Sequence, residues 1–106
     1  MPFPVSSGLL DACVLAVLSR DDAYGYRLTQ ELSQAVDLSD STLYPVLRRL
    51  QKDNLLTTYE RAYDGRNRRY YRITAEGKEK HAEYAAAWKE FKLSVDKIIL
   101  RGDLHD

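Results

Sequence analysis

Apolar residues recur along this chain with a helical period, then with period two, then with a helical period again, and that order predicts the elements. From Gly8 to Ser19, Leu9, Leu10, Cys13, Val14, Ala16, Val17 and Leu18 wrap most of a helical circumference. This first helix is therefore expected to be buried on several sides. Asp21 and Asp22 end it, and a second helix follows through Ala35, with Asp22 a candidate cap and Tyr24, Leu28 and Leu32 spaced by four. The third helix, capped by Ser39 or Ser41 and running to Asp53, is the most one-sided. Leu43, Val46, Leu47 and Leu50 form its apolar stripe, while Ser41, Tyr44, Pro45, Arg48 and Lys52 point away and Arg49 sits at the border. Pro45 removes a backbone donor, so it fits within the first turn or two, on the solvent side.

After Asn54 the period drops to two. Leu55 to Glu60 and Arg69 to Thr74 read as strands, with Tyr71 and Ile73 facing the core and Tyr70 and Arg72 facing out. Between them, residues 61–68 form a cationic tip in which Asp64-Gly65 supplies the turn. Thr74 caps a long fourth helix, with Glu76 in its first turn. Along it His81, Tyr84, Trp88, Phe91, Val95 and Ile98 follow a heptad seam. A helix of about 25 residues overruns a small domain. A second copy is expected to bury the seam, with Leu10, Val14, Val17, Tyr84, Trp88, Phe91, Val95 and Ile98 at the dimer interface.

Composition narrows the class. With 106 residues, 44% hydrophobic and 30% charged, the chain reads as one compact unit. Cys13 is the single cysteine, which rules out an intramolecular disulfide and a Cys-rich zinc site and fits a reducing cytoplasm. It reads as a buried small hydrophobe. No apolar run approaches the roughly 20 residues of a membrane span, and Met1 to Ser7 lacks the basic start of a signal peptide. Neither a phosphate loop, a nucleophile elbow nor paired carboxylates beside a His are present, so no catalytic role, cofactor or metal is expected.

The net charge is zero, but its distribution is uneven. Residues 1–40 carry two Arg against six acids, residues 41–80 ten basic against five acidic, and residues 81–106 four against five. A net +5 in the middle segment is the footprint of an anionic partner, with a merely solvated face as the plain alternative. Helix, helix, basic helix and Arg-tipped hairpin is the order of a winged helix-turn-helix. The fold class is thus α+β: a winged helix-turn-helix over residues 1–74, then a C-terminal dimerisation helix over 75–106. The third helix of such a fold enters the major groove of double-stranded DNA and the wing reaches flanking backbone or minor groove. Arg48, Arg49 and Lys52 suit phosphate or guanine, Ser41 and Thr42 suit phosphate, and Tyr44 suits phosphate, sugar or a thymine methyl. Arg66, Arg68 and Arg69 fix orientation through phosphates. The competing class is a winged helix that binds protein.

Three strings support a closer match. Tyr24-Gly25-Tyr26, then Ser41-Thr42-Leu43-Tyr44-Pro45 with Leu47 and Leu50, then Arg69-Tyr70-Tyr71-Arg72-Ile73-Thr74-Ala75-Glu76-Gly77 together resemble the PadR family of transcriptional regulators, in its short C-terminal class. The resemblance covers nearly the whole chain. It implies a dimeric repressor on a palindromic operator, released by a small effector, with Tyr24, Tyr26, Pro45 and Asn67 joining the DNA-binding residues. In similar multidrug-responsive members a Trp eleven residues after the helix-opening Gly stacks planar drugs, and Gly77 and Trp88 share that spacing. Trp88 is thus either an effector platform, walled by Phe91, Val14 and Leu10 and suited to aromatic or cationic lipophilic compounds, or an interface anchor.

Overall fold

The computed structural model describes residues 7–100. Its elements are α1 (Ser7–Arg20), β1 (Ala23–Tyr24), α2 (Gly25–Leu32), α3 (Asp40–Lys52), β2 (Leu56–Tyr63), β3 (Arg66–Ile73) and α4 (Ala75–Ile99). This is the expected α+β winged helix-turn-helix with a long last helix. Leu10, Val14, Leu15 and Leu18 of α1 meet Leu28 and Leu32 of α2 and the α3 stripe of Leu43, Val46, Leu47 and Leu50. Leu56, Tyr71 and Ile73 close the core from the sheet. Each such side chain contributes roughly 1.5–3 kcal/mol relative to exposure, so the one-sided stripe fixes which face of α3 meets solvent.

Several boundaries differ from expectation for local reasons. Asp22 does not cap α2: the cap position is Tyr24, without a side-chain bond, and Ala23–Tyr24 pair with β3 as an extra edge strand, giving the order β1-β3-β2. Asp22 instead accepts from Tyr59 Oη at 2.7 Å and Arg72 Nε at 3.1 Å. α2 stops at Leu32 rather than Ala35 because the Gln34 and Ala35 amides donate to Glu31 and Leu32, three residues back. Val36 and Leu38 then pack on the core edge. The strands of the hairpin run further than the sequence suggested, leaving only Asp64 and Gly65 between them. Their φ values of 55° and 80° are those of a type I′ turn, whose twist matches the flanking strands.

α4 begins as expected, with Thr74 Oγ1 accepting from the Gly77 amide at 2.9 Å. Gly77 is buried against the Leu55 carbonyl and Ile73, so α4 rests directly on the chain entering β2. Tyr84 is the last of its side chains packed on the core. Beyond it the helix leaves the domain, and Trp88, Phe91 and Ile98 are 47%, 61% and 66% exposed. Leu10 and Val14, expected at a dimer interface and an effector wall, lie instead in this chain's own core, because the all-round apolar α1 is enclosed by its own α2, α3, α4 and β3. Val17 is half-buried at the core edge. Among the described residues no helix is long and apolar enough to cross a membrane, and no group of three His, Cys, Asp or Glu could hold a metal ion.

Candidate nucleic-acid interface

The site is built on the solvent face of α3. Burial of its leucine stripe leaves Ser41, Thr42, Pro45, Arg48, Gln51 and Lys52 exposed. Ser39, at the cap position, does not bond α3 amides with its hydroxyl; Ser39 Oγ lies 2.9 Å from Ser41 Oγ and 3.3 Å from Thr42 Oγ1. Three hydroxyls therefore cluster at the start of the helix, where backbone donors and the helix dipole favour an anion. Pro45, one turn on, leaves the Ser41 carbonyl without its helical donor, a loss tolerated because that side of α3 is wet.

Across from α3 stands the wing, and together they form an open groove lined by Tyr24, Tyr26, Tyr44, Arg48, Gln51, Arg68, Arg69 and Tyr71. Tyr44 is half-buried, with its hydroxyl over Gly25, and a Cβ at position 25 would collide with it. This close approach explains the glycine in Tyr24-Gly25-Tyr26: it lets α2 and α3 meet with a tyrosine between them. Tyr26 is exposed and accepts from Gln30 Nε2 at 3.1 Å.

Strand alternation sorts the cations of the hairpin. The pairs Leu56 with Ile73, Thr58 with Tyr71, Glu60 with Arg69 and Ala62 with Asn67 share the core-side face, toward α3. Thr57 with Arg72, Tyr59 with Tyr70, Arg61 with Arg68 and Tyr63 with Arg66 share the outer face. Asn67 and Arg69 therefore point to the α3 side, and Arg66 points to the other. Arg68 lies on the outer face, its guanidinium 4.4 Å from the ring of Tyr24, which pairs with Tyr70 on that same face, and it also lines the groove.

Arg49 is placed elsewhere. Its guanidinium donates from Nη1 and Nη2 to both carboxylate oxygens of Asp11, each at 2.8 Å. The Asp11 side chain is 9% exposed and the Arg49 side chain 42%. The carboxylate pushes the Arg49 guanidinium still higher in pKa, chiefly through these hydrogen bonds. Arg49, expected to touch DNA, instead ties α3 to α1. Two residues went unassigned in the sequence. Gln51 lies one turn beyond Arg48 on the same stripe, which could have marked it; Arg61 was counted in the cationic tip without a role. Cys13 is half-buried and its thiol is pushed up by burial, in keeping with an inert small hydrophobe.

Similarity to known proteins accords with this geometry. Residues 14–83 match the family described as "Transcriptional regulator PadR-like family". Transcriptional regulator Rv3488 of Mycobacterium tuberculosis is 42% identical over 76 residues, 71% of this chain and 71% of that protein. The crystal structure of smu.1704 from Streptococcus mutans is 34% identical and superposes with a TM-score of 0.90 over 100% of this chain and 99% of that one. A PadR-like transcriptional regulator from Bacillus cereus, BC4206, is 32% identical with a TM-score of 0.80, covering 87% and 92%. With two thirds of its length inside the family match and its fold shared throughout, the chain belongs to the PadR-like family of transcriptional regulators, which is not a class of enzymes.

Proposed function

We propose that the protein is a homodimeric repressor of the cytoplasm whose α3 enters the major groove of a palindromic operator while Arg66, Arg68 and Arg69 of the wing hold flanking phosphates. The observation that carries this reading is the exposed face of α3. Ser41, Thr42, Pro45, Arg48 and Lys52 are exposed, and among the described residues neither Arg48 nor Lys52 is in an ion pair, beside a groove whose other wall carries Arg68 and Arg69. Two-fold symmetry sets two such faces about 34 Å apart, one turn of DNA. The dimer itself is supported by the seam of α4, where Tyr84 closes on its own core and Trp88, Phe91, Val95 and Ile98 continue along the same side beyond it.

Anisotropy titration against a duplex from the protein's own promoter and a scrambled duplex, at two salt concentrations, tests the reading. Tight, salt-sensitive and sequence-selective binding is expected. Arg48→Ala is expected to weaken operator binding by about 2 kcal/mol, roughly thirtyfold, with a smaller loss on the scrambled duplex. Equal loss on both duplexes reduces Arg48 to a phosphate contact. No binding to either at low salt overturns the reading in favour of a protein-binding winged helix.

The effector reading rests on Trp88 and Phe91, whose ring centroids lie 6.2 Å apart at 47° on the exposed seam. A planar aromatic or cationic lipophilic compound held between two copies would bias the spacing of the α3 pair. Because Leu10 and Val14 are buried, the walls of such a site come from α4. Trp88→Ala is expected to abolish binding of a fluorescent cationic dye while far-ultraviolet circular dichroism stays unchanged. Undiminished dye binding excludes the platform, and loss of the dimer by sedimentation assigns Trp88 to the anchor role.

A further inference from the structure

An open cleft of about 550 Å³ lies between the end of α1, the residues leading into β1, the base of the sheet and the start of α4. Tyr59, Tyr70 and Arg72 line it from the outer face of the sheet, the face turned away from α3. Its charged side chains sort into two groups. Asp22 accepts from Arg72 Nε at 3.1 Å and from the Tyr59 hydroxyl at 2.7 Å, and Asp21 lies 3.8 Å from Arg27 Nη2. Each carboxylate is thus matched by an arginine. Arg20, Arg61 and Lys78 are left over: all three are exposed, and among the described residues none of them is in an ion pair. Five cations against two carboxylates give the cleft a net charge of +3.

The three unmatched cations come from three different elements. Arg20 ends α1, Arg61 belongs to β2 and Lys78 to the first turn of α4. Like charges gathered on one concave surface repel one another and focus their field on an anion that enters. The tyrosines narrow the chemistry of that anion. Tyr59 and Tyr70 stack on each other at 5.5 Å and 14°, with the Arg72 guanidinium 4.6 Å from the Tyr59 ring and that of Arg61 5.6 Å from the Tyr70 ring. A planar aromatic guest therefore finds no open ring to stack on, whereas the Arg61 guanidinium, restrained over its ring, keeps its in-plane N–H donors for oxygen. The volume falls within the roughly 300–1,000 Å³ of small-molecule sites. We propose that this cleft binds a compact polyanion, a small di- or tricarboxylate or a phosphate ester, through Arg20, Arg61 and Lys78. Such a ligand neutralises one cation on each of three elements and ties the end of α1 and the root of α4 to the wing. The site is separate from the groove beside α3 and from the seam of α4, and it stands whether or not the chain binds an operator.

Calorimetric titration of the full chain with citrate and with inorganic pyrophosphate, at an ionic strength held constant with sodium chloride, tests the site. Saturable binding of one anion per chain is expected. The tighter of the two probes assigns the ligand to the carboxylates or to the phosphoryl compounds. Arg61→Gln and Lys78→Gln, both at exposed positions, are each expected to weaken that binding by about tenfold, the loss of one charge-assisted hydrogen bond. Lys78→Arg keeps the charge and is expected to keep the binding, which separates loss of a contact from damage to the fold. Arg48→Gln, in the groove beside α3, is expected to bind the probe as the wild type does. Absence of saturable binding for both probes overturns the site. So does unchanged affinity in either Arg61→Gln or Lys78→Gln, and so does a loss in Arg48→Gln as large as theirs, which moves the anion to the α3 groove.

Discussion

Arg49→Met is expected to lower unfolding stability by about 3 kcal/mol, measured by urea denaturation at fixed protein concentration. The cost arises from Asp11, not from Arg49. Removing the guanidinium leaves a carboxylate, 9% exposed inside the α1 helix, without either of its two 2.8 Å partners. The reverse deletion is milder. In Asp11→Ala the freed Arg49, 42% exposed, turns to water, and about 1 kcal/mol is expected. The double variant Asp11→Leu with Arg49→Met replaces the pair by apolar groups and is expected to return within about 1 kcal/mol of the wild type. A cycle with that asymmetry establishes a structural ion pair. Unchanged stability in Arg49→Met together with lost operator affinity would restore Arg49 to the DNA interface.

Gly77→Ala is expected to destabilise by about 3 kcal/mol, against the sign of helix propensity. In an exposed helix the change gains about 1 kcal/mol. Here the new Cβ meets the Leu55 carbonyl and Ile73 Cγ1, and a carbonyl fixed in the backbone cannot swing aside as a side-chain end does. The amide of Leu55 donates to Leu50 and its carbonyl accepts from Thr74, so moving it strains the joint between α3 and the wing as well. A drop in the thermal midpoint with helical content retained below it is the expected signature. A gain in stability would mean that α4 sits further from β2 than described.

How much of this was legible in the sequence depended on how local each cause is. The α3 stripe and the hairpin were legible because one face of each is buried and the other is wet, and that contrast writes a period into the residues. β1 was not, since two residues have no period; it exists only because Tyr70 and Tyr71 are there to pair with it. The Asp11–Arg49 pair spans 38 positions, so no local pattern around Asp11 points to its partner. Leu10 and Val14 show a different limit. A helix that is apolar all round announces burial but not by whom, and here the answer is the same chain. Likewise Arg49 at the border of the stripe could face either way until its partner on α1 was known.

The type I′ turn at Asp64-Gly65 has a consequence for how this hairpin can change. It fixes the register at the tip, while Tyr71 and Ile73 in the core and the pairing with β1 fix it at the base. A single residue inserted into β3 between those two anchors must be absorbed as a bulge, where two neighbouring residues of β3 stand opposite one residue of β2. Beyond the bulge each β3 residue again shares the face of its β2 partner, so Arg66 and Arg68 stay on the outer face with Tyr63 and Arg61. The uninterrupted strand β2 is thus the template of the wing's two faces, and relatives that differ by one residue in β3 are expected to keep both faces, with a local kink at the bulge.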